Sequence, residues 1–141
     1  MSEFIQIDTK DFDGFVQRLE KYGRRGDEAV MKAVKELALE GSGVMAKSAP
    51  RVTGRLASSI HYETEKTTGH TYRDNQGRGF DGSFSQRPTG LSAAMGSNVS
   101  YAHDVNQRST NPRFFEKGFK HAENLVEQRL RFYLNKLMNE S

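Results

Sequence analysis

Apolar residues recur every three or four positions along two long stretches of the chain, the spacing of one face of an α-helix. The first stripe consists of Val30, Val34, Leu37, Gly41, Val44 and Ser48, with Ala33, Ala38 and Met45 beside it. The second consists of Phe115, Phe119, Ala122, Leu125, Val126, Leu130, Tyr133, Leu134 and Leu137. They predict two long amphipathic helices. The first begins near Asp27 and ends before Pro50, and the second begins at Pro112 and continues nearly to the C-terminus.

A shorter helix is predicted ahead of these two. Asp11 can cap it, and it runs to about Tyr22, because apolar residues at the helical spacing share one side. These residues are Phe12, Phe15, Val16 and Leu19, and a short apolar segment, Phe4 to Ile7, precedes them. The glycines of residues 23–26 separate this helix from the next one.

The small residues Gly41, Ser42 and Gly43 interrupt the middle of the first long stripe. Each glycine costs about 1 kcal/mol relative to alanine inside a helix. We therefore expect another backbone to pack closely at this point, and a helix kink is the alternative.

Two segments have the character of strands. Ile60, Tyr62 and Thr64 alternate with His61 and Glu63, which predicts a half-buried strand. Residues 93–99 form a second candidate, expected to pair antiparallel with the first, and a polar loop is expected over residues 106–111. The predicted fold is α+β, with long amphipathic helices packed on a small antiparallel sheet, in one domain over residues 1–141.

Residues 67–91 contain five glycines and no consistent period, which predicts a long flexible loop or arm. The alternatives are a solvated loop, an arm that contacts a partner, and an irregular hairpin. Phe80 and Phe84 either anchor to a partner or fold back on the domain. With Arg78 and Arg87 they are the candidate partner contacts.

The composition changes this picture little. The chain of 141 residues is hydrophilic, with 35% hydrophobic and 28% charged residues, and its net charge is only +3. It contains no cysteine, so disulfides and thiolate chemistry are excluded. The N-terminal residues lack the pattern of a signal peptide, and no apolar run approaches the roughly 20 residues that cross a bilayer. We expect a protein without membrane contact, made and used inside a cell.

No motif predicts catalysis. Residues 41–48 approach the phosphate-binding pattern G-x-x-x-x-G-K-[ST], but Ala46 replaces the second glycine and the segment ends a helix instead of following a strand. The four histidines have no spacing typical of metal ligands, and no serine or cysteine nucleophile is placed by a motif. His103 beside Asp104 is therefore expected to be a surface or interface histidine. We expect no enzyme activity, no cofactor and no metal.

Three short motifs, in order along the chain, resemble a family of small phage proteins. The first runs from the end of the long helix into the strand, the second follows the later strand, and the third begins the last helix. The residues that carry them are Ala49, Pro50, Thr53, Gly54, Leu56, Ser59 and Ile60, then Tyr101, Ala102 and Val105, then Pro112, Phe114 and Phe115. This set is similar to that of the tail-completion, or head–tail joining (neck), proteins of long-tailed bacteriophages. The family often has Val-Glu-x-Gly where this chain has residues 105–108.

The resemblance implies a structural virion protein without an active site. It implies a ring of about six copies, closed by one contact repeated around an axis, between the head connector and the tail tube. DNA would pass through the lumen of this ring without sequence-specific binding. The protein would assemble in the host cytoplasm and reside in the neck or tail of the virion.

A small nucleic-acid-binding accessory protein is the alternative. It would use Arg24, Arg25, Arg78 and Arg87 together with the glycine- and phenylalanine-bearing segment, since aromatic rings on a mobile arm can stack on single-stranded bases.

Overall fold

In a computed structural model of the chain, the described residues are 3–7, 13–50, 54–67, 69–84, 88, 90–108 and 113–140. They form six helices: α1 (Asp13–Glu20), α2 (Arg24–Ser48), α3 (Arg55–Ser59), α4 (Ala102–Arg108), α5 (Phe114–Glu123) and α6 (Val126–Glu140). They also form five strands: β1 (Glu3–Ile7), β2 (His61–Thr64), β3 (His70–Arg73), β4 (Gly79–Gly82) and β5 (Ala93–Ser97). The predicted α+β class, with long helices on a small antiparallel sheet, is confirmed.

Strand β5 is the centre of a three-stranded antiparallel sheet with the order β1-β5-β2. Met95 of β5 lies opposite Ile5 on one side and opposite Tyr62 on the other. The predicted antiparallel pairing of the two candidate strands is therefore confirmed. The sequence predicted no strand at β1, because the apolar residues Phe4 and Ile5 are adjacent and do not alternate with polar ones.

Helix α2 is the central element, since it packs against α1, α5, α6, β2 and β5. The core residues on its buried face are Ala29, Val30, Ala33, Val34, Leu37, Ala38 and Met45. All of them except Ala29 lie in the predicted stripe, whereas Val44 and Ser48 at its end are only half-buried. Helix α2 begins at Arg24, earlier than expected. Gly26 is buried inside this helix instead of lying in the predicted break between the first two helices. Leu19 of α1 is fully buried, while Asp11 and Phe12 lie outside the described residues.

The predicted close approach of another backbone to the small residues of α2 is confirmed at Gly41. A Cβ atom there would lie 2.5 Å from the Met95 sulfur and 2.9 Å from the Gly118 carbonyl oxygen. Both distances are shorter than real Cβ contacts allow. By contrast, a Cβ atom at Gly43 would meet nothing within 4 Å.

The last helix is divided in two, which corrects the prediction of one continuous helix. The Leu125 N–H donates to the carbonyl of Ala122, three residues back, at 3.0 Å. This bond tightens one turn between α5 and α6, where residues 124 and 125 leave the helical pattern. The apolar positions on both halves still face the core, since Phe115, Ala122, Leu130 and Leu137 are buried.

Two short helices occur where the sequence predicted none. Helix α3 stands between Gly54 and β2, where a direct passage from turn to strand was expected. Helix α4 includes the start of the predicted polar loop, residues 106–108. Both are shorter than two helical turns, too short for a periodic pattern to be recognisable.

The described part of residues 67–91 contains the antiparallel hairpin β3–β4. This corrects the expectation of a flexible loop and agrees with the hairpin alternative. Asp74 holds the turn, because its Oδ1 accepts the N–H groups of Gln76 and Arg78, each at 2.9 Å. Burial raises the pKa of Asp74, but the hydrogen bonds from Arg78 and Gln76 outweigh it, and the net effect lowers the pKa.

Candidate functional site

The hairpin β3–β4 closes over α3 and β2 through a continuous stack of rings. Neighbouring ring centroids are 4.4 to 5.7 Å apart, and the planes are within 22° of parallel. A guanidinium group extends the stack, with its carbon 4.1 Å from the last centroid. The members, in order, are Phe84, His61, His70, Tyr72, Phe80 and Arg55. This stack fixes the hairpin on the body of the protein, since each aromatic contact adds about 0.5–1.5 kcal/mol beyond area burial.

His61 lies inside this stack, with both ring nitrogens facing acceptor atoms. Nδ1 is 2.8 Å from the carbonyl oxygen of Ser59, and Nε2 is 2.6 Å from Oε2 of Glu63. A carbonyl oxygen only accepts, so Nδ1 donates. The contact between His61 Nε2 and Glu63 Oε2 also needs a proton, which is carried either by Nε2 or by the carboxyl group. Oε2 also accepts the backbone N–H of Phe84 at 2.9 Å.

His61 and Glu63 contact each other and the backbone, not a nucleophilic side chain. The hydroxyl of Ser59 donates to the Leu56 carbonyl at 2.6 Å and contacts the Ser97 hydroxyl, and neither bond involves the His61 ring. The arrangement therefore lacks the hydroxyl-to-imidazole bond of a nucleophilic triad.

Strand β2 is buried on both faces, whereas a half-buried strand was predicted; Ile60 and Thr64 are buried as expected. His61 and Glu63, expected on the exposed face, are buried, whereas Tyr62, expected in the core, is half-buried. The hairpin covers the face of β2 that carries His61 and Glu63. The alternation of residue types gave no sign of this cover. The length of segment 67–91 was the available signal, since a long connection next to a strand can cover it.

A cavity of about 850 Å³ opens beside the stack. Its wall includes Glu63, His70, Thr71, Asp81, Phe84 and Asn98. Asp81 Oδ1 accepts a hydrogen bond from the Thr71 hydroxyl at 3.1 Å. The described wall residues thus contribute two carboxyl groups, and no lysine or arginine is among them. The sequence did not predict this site, because its residues come from β2, the hairpin and the end of β5.

The first family motif connects helix α2 to strand β2. Gly54 adopts φ +77°, and the side chain of Asn75 at the hairpin turn occupies the space where a Cβ atom would stand. Only glycine satisfies both conditions. Leu56, Ser59 and Ile60 are buried, as is Ala49, while Pro50 is exposed. Thr53 lies outside the described residues.

The other two motifs meet at the start of α5. Ala102, Phe114 and Phe115 are buried, Val105 is half-buried and Tyr101 is exposed, while Pro112 lies outside the described residues. The buried side chain of Asn106 accepts the Phe115 N–H at 3.1 Å. Asn106 is the residue that stands where the family often has glutamate, so this departure has a structural role that sequence reasoning missed.

Three of the four candidate partner contacts on segment 67–91 lie within the described residues. Phe84 is buried under His61, and Phe80 is half-buried between Tyr72 and Arg55, so both fold back on the domain. Arg78 is exposed and donates to Asp74 at 2.7 Å. Arg87 lies outside the described residues.

The remaining sequence motifs lie on helices and strands of the structure. Residues 41–48 form the last turns of α2, not a loop that receives phosphate. The described residues contain no group of three side chains that could hold a metal ion. His103 is exposed on α4, whereas His61 is buried, so the four histidines are not equivalent. No helix within the described ranges is both long and apolar enough to cross a membrane.

Comparison with known proteins gives one result. The model of the family described as "Bacteriophage HK97-gp10, putative tail-component" matches residues 13–107, from α1 through most of α4. This range includes the first two motifs, the hairpin and the cavity. No curated protein and no solved structure matches the chain.

Proposed function

Because the chain belongs to the HK97-gp10-like family of bacteriophage tail components, we propose that it acts at the head–tail junction, as a ring component that completes the tail or joins it to the head. A tail component is a structural protein of the virion and contacts other phage tail or head proteins. The junction, the ring and the number of copies are the proposed part.

The observation that carries the proposal is the family match over two thirds of the chain, together with the motifs at Pro50–Ile60 and Tyr101–Val105. The packing is compatible with such a role. A helical body built on α2 carries a hairpin that is fixed by stacked rings and by Gly54. A subunit with two distinct, rigid surfaces can form the head-to-tail contact that closes a ring when the rotation fits.

The direct test is a phage that carries a stop codon in this gene. Negative-stain microscopy of the lysate should show DNA-filled heads beside unattached tails, and expression of the protein in the host should restore joined particles. Normal infectious particles without the protein would refute the proposal. Analytical ultracentrifugation of the purified protein, alone and with tail tubes, would measure ring formation separately.

The alternative role, nucleic-acid binding, loses its main support in the packing of Phe80 and Phe84, because rings stacked inside the protein are not available to bases. Arg24 remains exposed, and within the described residues it pairs with Glu28 at 3.2 Å. The discriminating measurement is the affinity for DNA as a function of salt. A DNA-binding protein loses affinity steeply between low and moderate salt, whereas a joining protein should show only weak retention that depends little on DNA length.

A further inference from the structure

The cavity beside the hairpin has a buried acceptor atom, Asn98 Oδ1, to which the described residues give no donor. Unpaired buried acceptors are rare in folded proteins, since each costs about 1–3 kcal/mol. Glu63 is 2% exposed, and its Oε2 contacts Nε2 of His61 and accepts the backbone N–H of Phe84. Its carboxyl group is part of the cavity wall.

The position of Asn98 is set by the hairpin. Its side-chain amide occupies the space where a Cβ atom on Gly82 would stand, so a larger residue at position 82 would displace it. Asp81, the neighbour of Gly82, adds an exposed carboxylate to the same wall. Three acceptor groups from three different elements therefore line one cavity.

We propose that this cavity binds a guanidinium or ammonium group, carried by a basic side chain of a neighbouring protein subunit. A cation with several N–H donors is the ligand that satisfies carboxyl and amide oxygens together, and hydrogen bonds between charged groups are about twice as strong as neutral ones. That the neighbour is a phage subunit rests on the proposed function, whereas the cation site does not.

The first experiment requires no ring. Backbone amide spectra of the isotope-labelled full chain are recorded by NMR during titration with N-acetyl-arginine amide. N-acetyl-citrulline amide, which has the same shape without the charge, is the control. We expect shifts confined to residues 69–71, 81–84 and 98 with the arginine probe and no comparable shifts with citrulline. Equal shifts with both probes, or shifts elsewhere on the surface, would overturn the proposal.

Variants then test the acceptors. Asp81→Asn should weaken binding of the arginine probe about tenfold, the loss that corresponds to about 1.4 kcal/mol, and Glu63→Gln should weaken it by at least as much. Asp104→Asn, which removes an exposed carboxylate on α4, should leave the affinity unchanged. Because Glu63 also holds His61, the Asp81 variant decides the result if Glu63→Gln fails to fold. Unchanged affinity in the Asp81 variant would refute the site.

Two further arms identify the source of the cation. Binding of spermidine without binding of N-acetyl-arginine amide would assign the site to a free polyamine and refute the side-chain source. If the arginine probe binds to the Arg87→Gln variant and not to the wild type, the cavity is assigned to the arginine of the same chain, and the neighbouring subunit is refuted as the source. If Asp81→Asn weakens both particle assembly and binding of the arginine probe, this result would support a basic side chain of a neighbouring subunit as the source of the cation. If the stop-codon phage assembles normally but the probe still binds, the cation site stands and only the proposed function fails.

Discussion

Gly41 on α2 and Gly118 on α5 face each other where the two helices cross, so that backbone lies against backbone. A Cβ atom on Gly41 would lie 2.9 Å from the Gly118 carbonyl oxygen, and a Cβ atom on Gly118 would overlap the Gly41 carbonyl oxygen and the Met45 side chain. The intrinsic cost of glycine in a helix is about 1 kcal/mol at each position. The close packing of two central helices offsets it.

Gly118→Ala should destabilise the protein by about 1–3 kcal/mol, the cost of inserting atoms into a packed core. The matched control is Gly43→Ala, on the exposed side of α2, where a Cβ atom meets nothing. It should leave stability unchanged or increase it by up to about 1 kcal/mol. Urea unfolding followed by circular dichroism measures both. Equal effects of the two substitutions would show that the helices do not cross closely at Gly118.

This crossing illustrates which parts of the fold were predictable. The stripe on α2, the close approach at Gly41 and the burial of the C-terminal apolar face were predicted from periods repeated over many residues and were confirmed, whereas the prediction of one continuous C-terminal helix was wrong. Helices α3 and α4 extend over only five and seven residues, so no period could reveal them. The partner of Gly41 also could not be assigned, because Gly118 lies 77 positions later and nothing local links the two.

The candidate site was less predictable than the core. The alternation in β2 predicted Glu63 at the surface, where a carboxylate is most easily solvated. Its burial depends on the hairpin, whose glycine-rich sequence suggested a loop. Asn98, Asp81 and Glu63 meet only through tertiary contacts between three elements. A single sequence contains no record of such contacts.

Phe84→Ala should cost about 3–5 kcal/mol, the usual loss for a buried phenylalanine. Of the two roles that the sequence left open for Phe84, the structure shows the one in which the ring folds back on the domain. The ring is 6% exposed and stacks on His61 with a centroid distance of 4.4 Å. Thermal and urea unfolding provide the measurement. Phe132→Ala, which removes a ring that is 59% exposed on α6, should change stability by no more than about 0.5 kcal/mol. A wild-type midpoint in the Phe84 variant would contradict the stack.

Asn106→Ala should destabilise the junction between α4 and α5. The substitution removes the acceptor of the buried Phe115 N–H, and an unpaired buried donor costs about 1–3 kcal/mol. Hydrogen exchange of the Phe115 amide should accelerate more than exchange in the centre of α2. Asn135→Ala, at an exposed position of α6, is the control and should leave both stability and exchange unchanged. If the Phe115 amide stays as protected as in the wild type, Asn106 does not cap this helix.

Tyr133 should make the protein sensitive to alkaline pH. Burial, and then the hydrogen bond and charge of Glu36, raise the pKa of the Tyr133 hydroxyl to about 12. The unfolded chain releases this proton near pH 10. The stabilisation is therefore fully present below about pH 10 and is lost as the pH rises to about 12, because over this range the unfolded state loses a proton that the folded state keeps.

Tyr133→Phe should remove this pH-dependent stabilisation of the folded state. The difference in unfolding free energy between wild type and Tyr133→Phe, measured in urea, should shift in favour of the variant as the pH rises above about 10. The salt bridges of Arg129 to Glu36 and Glu40, each 2.7 Å long, remain in the variant, so the packing of α6 on α2 is kept. Tyr101→Phe alters an exposed ring and should follow the wild-type profile. A difference between wild type and Tyr133→Phe that stays constant from neutral to strongly alkaline pH would show that Glu36 does not hold the hydroxyl proton.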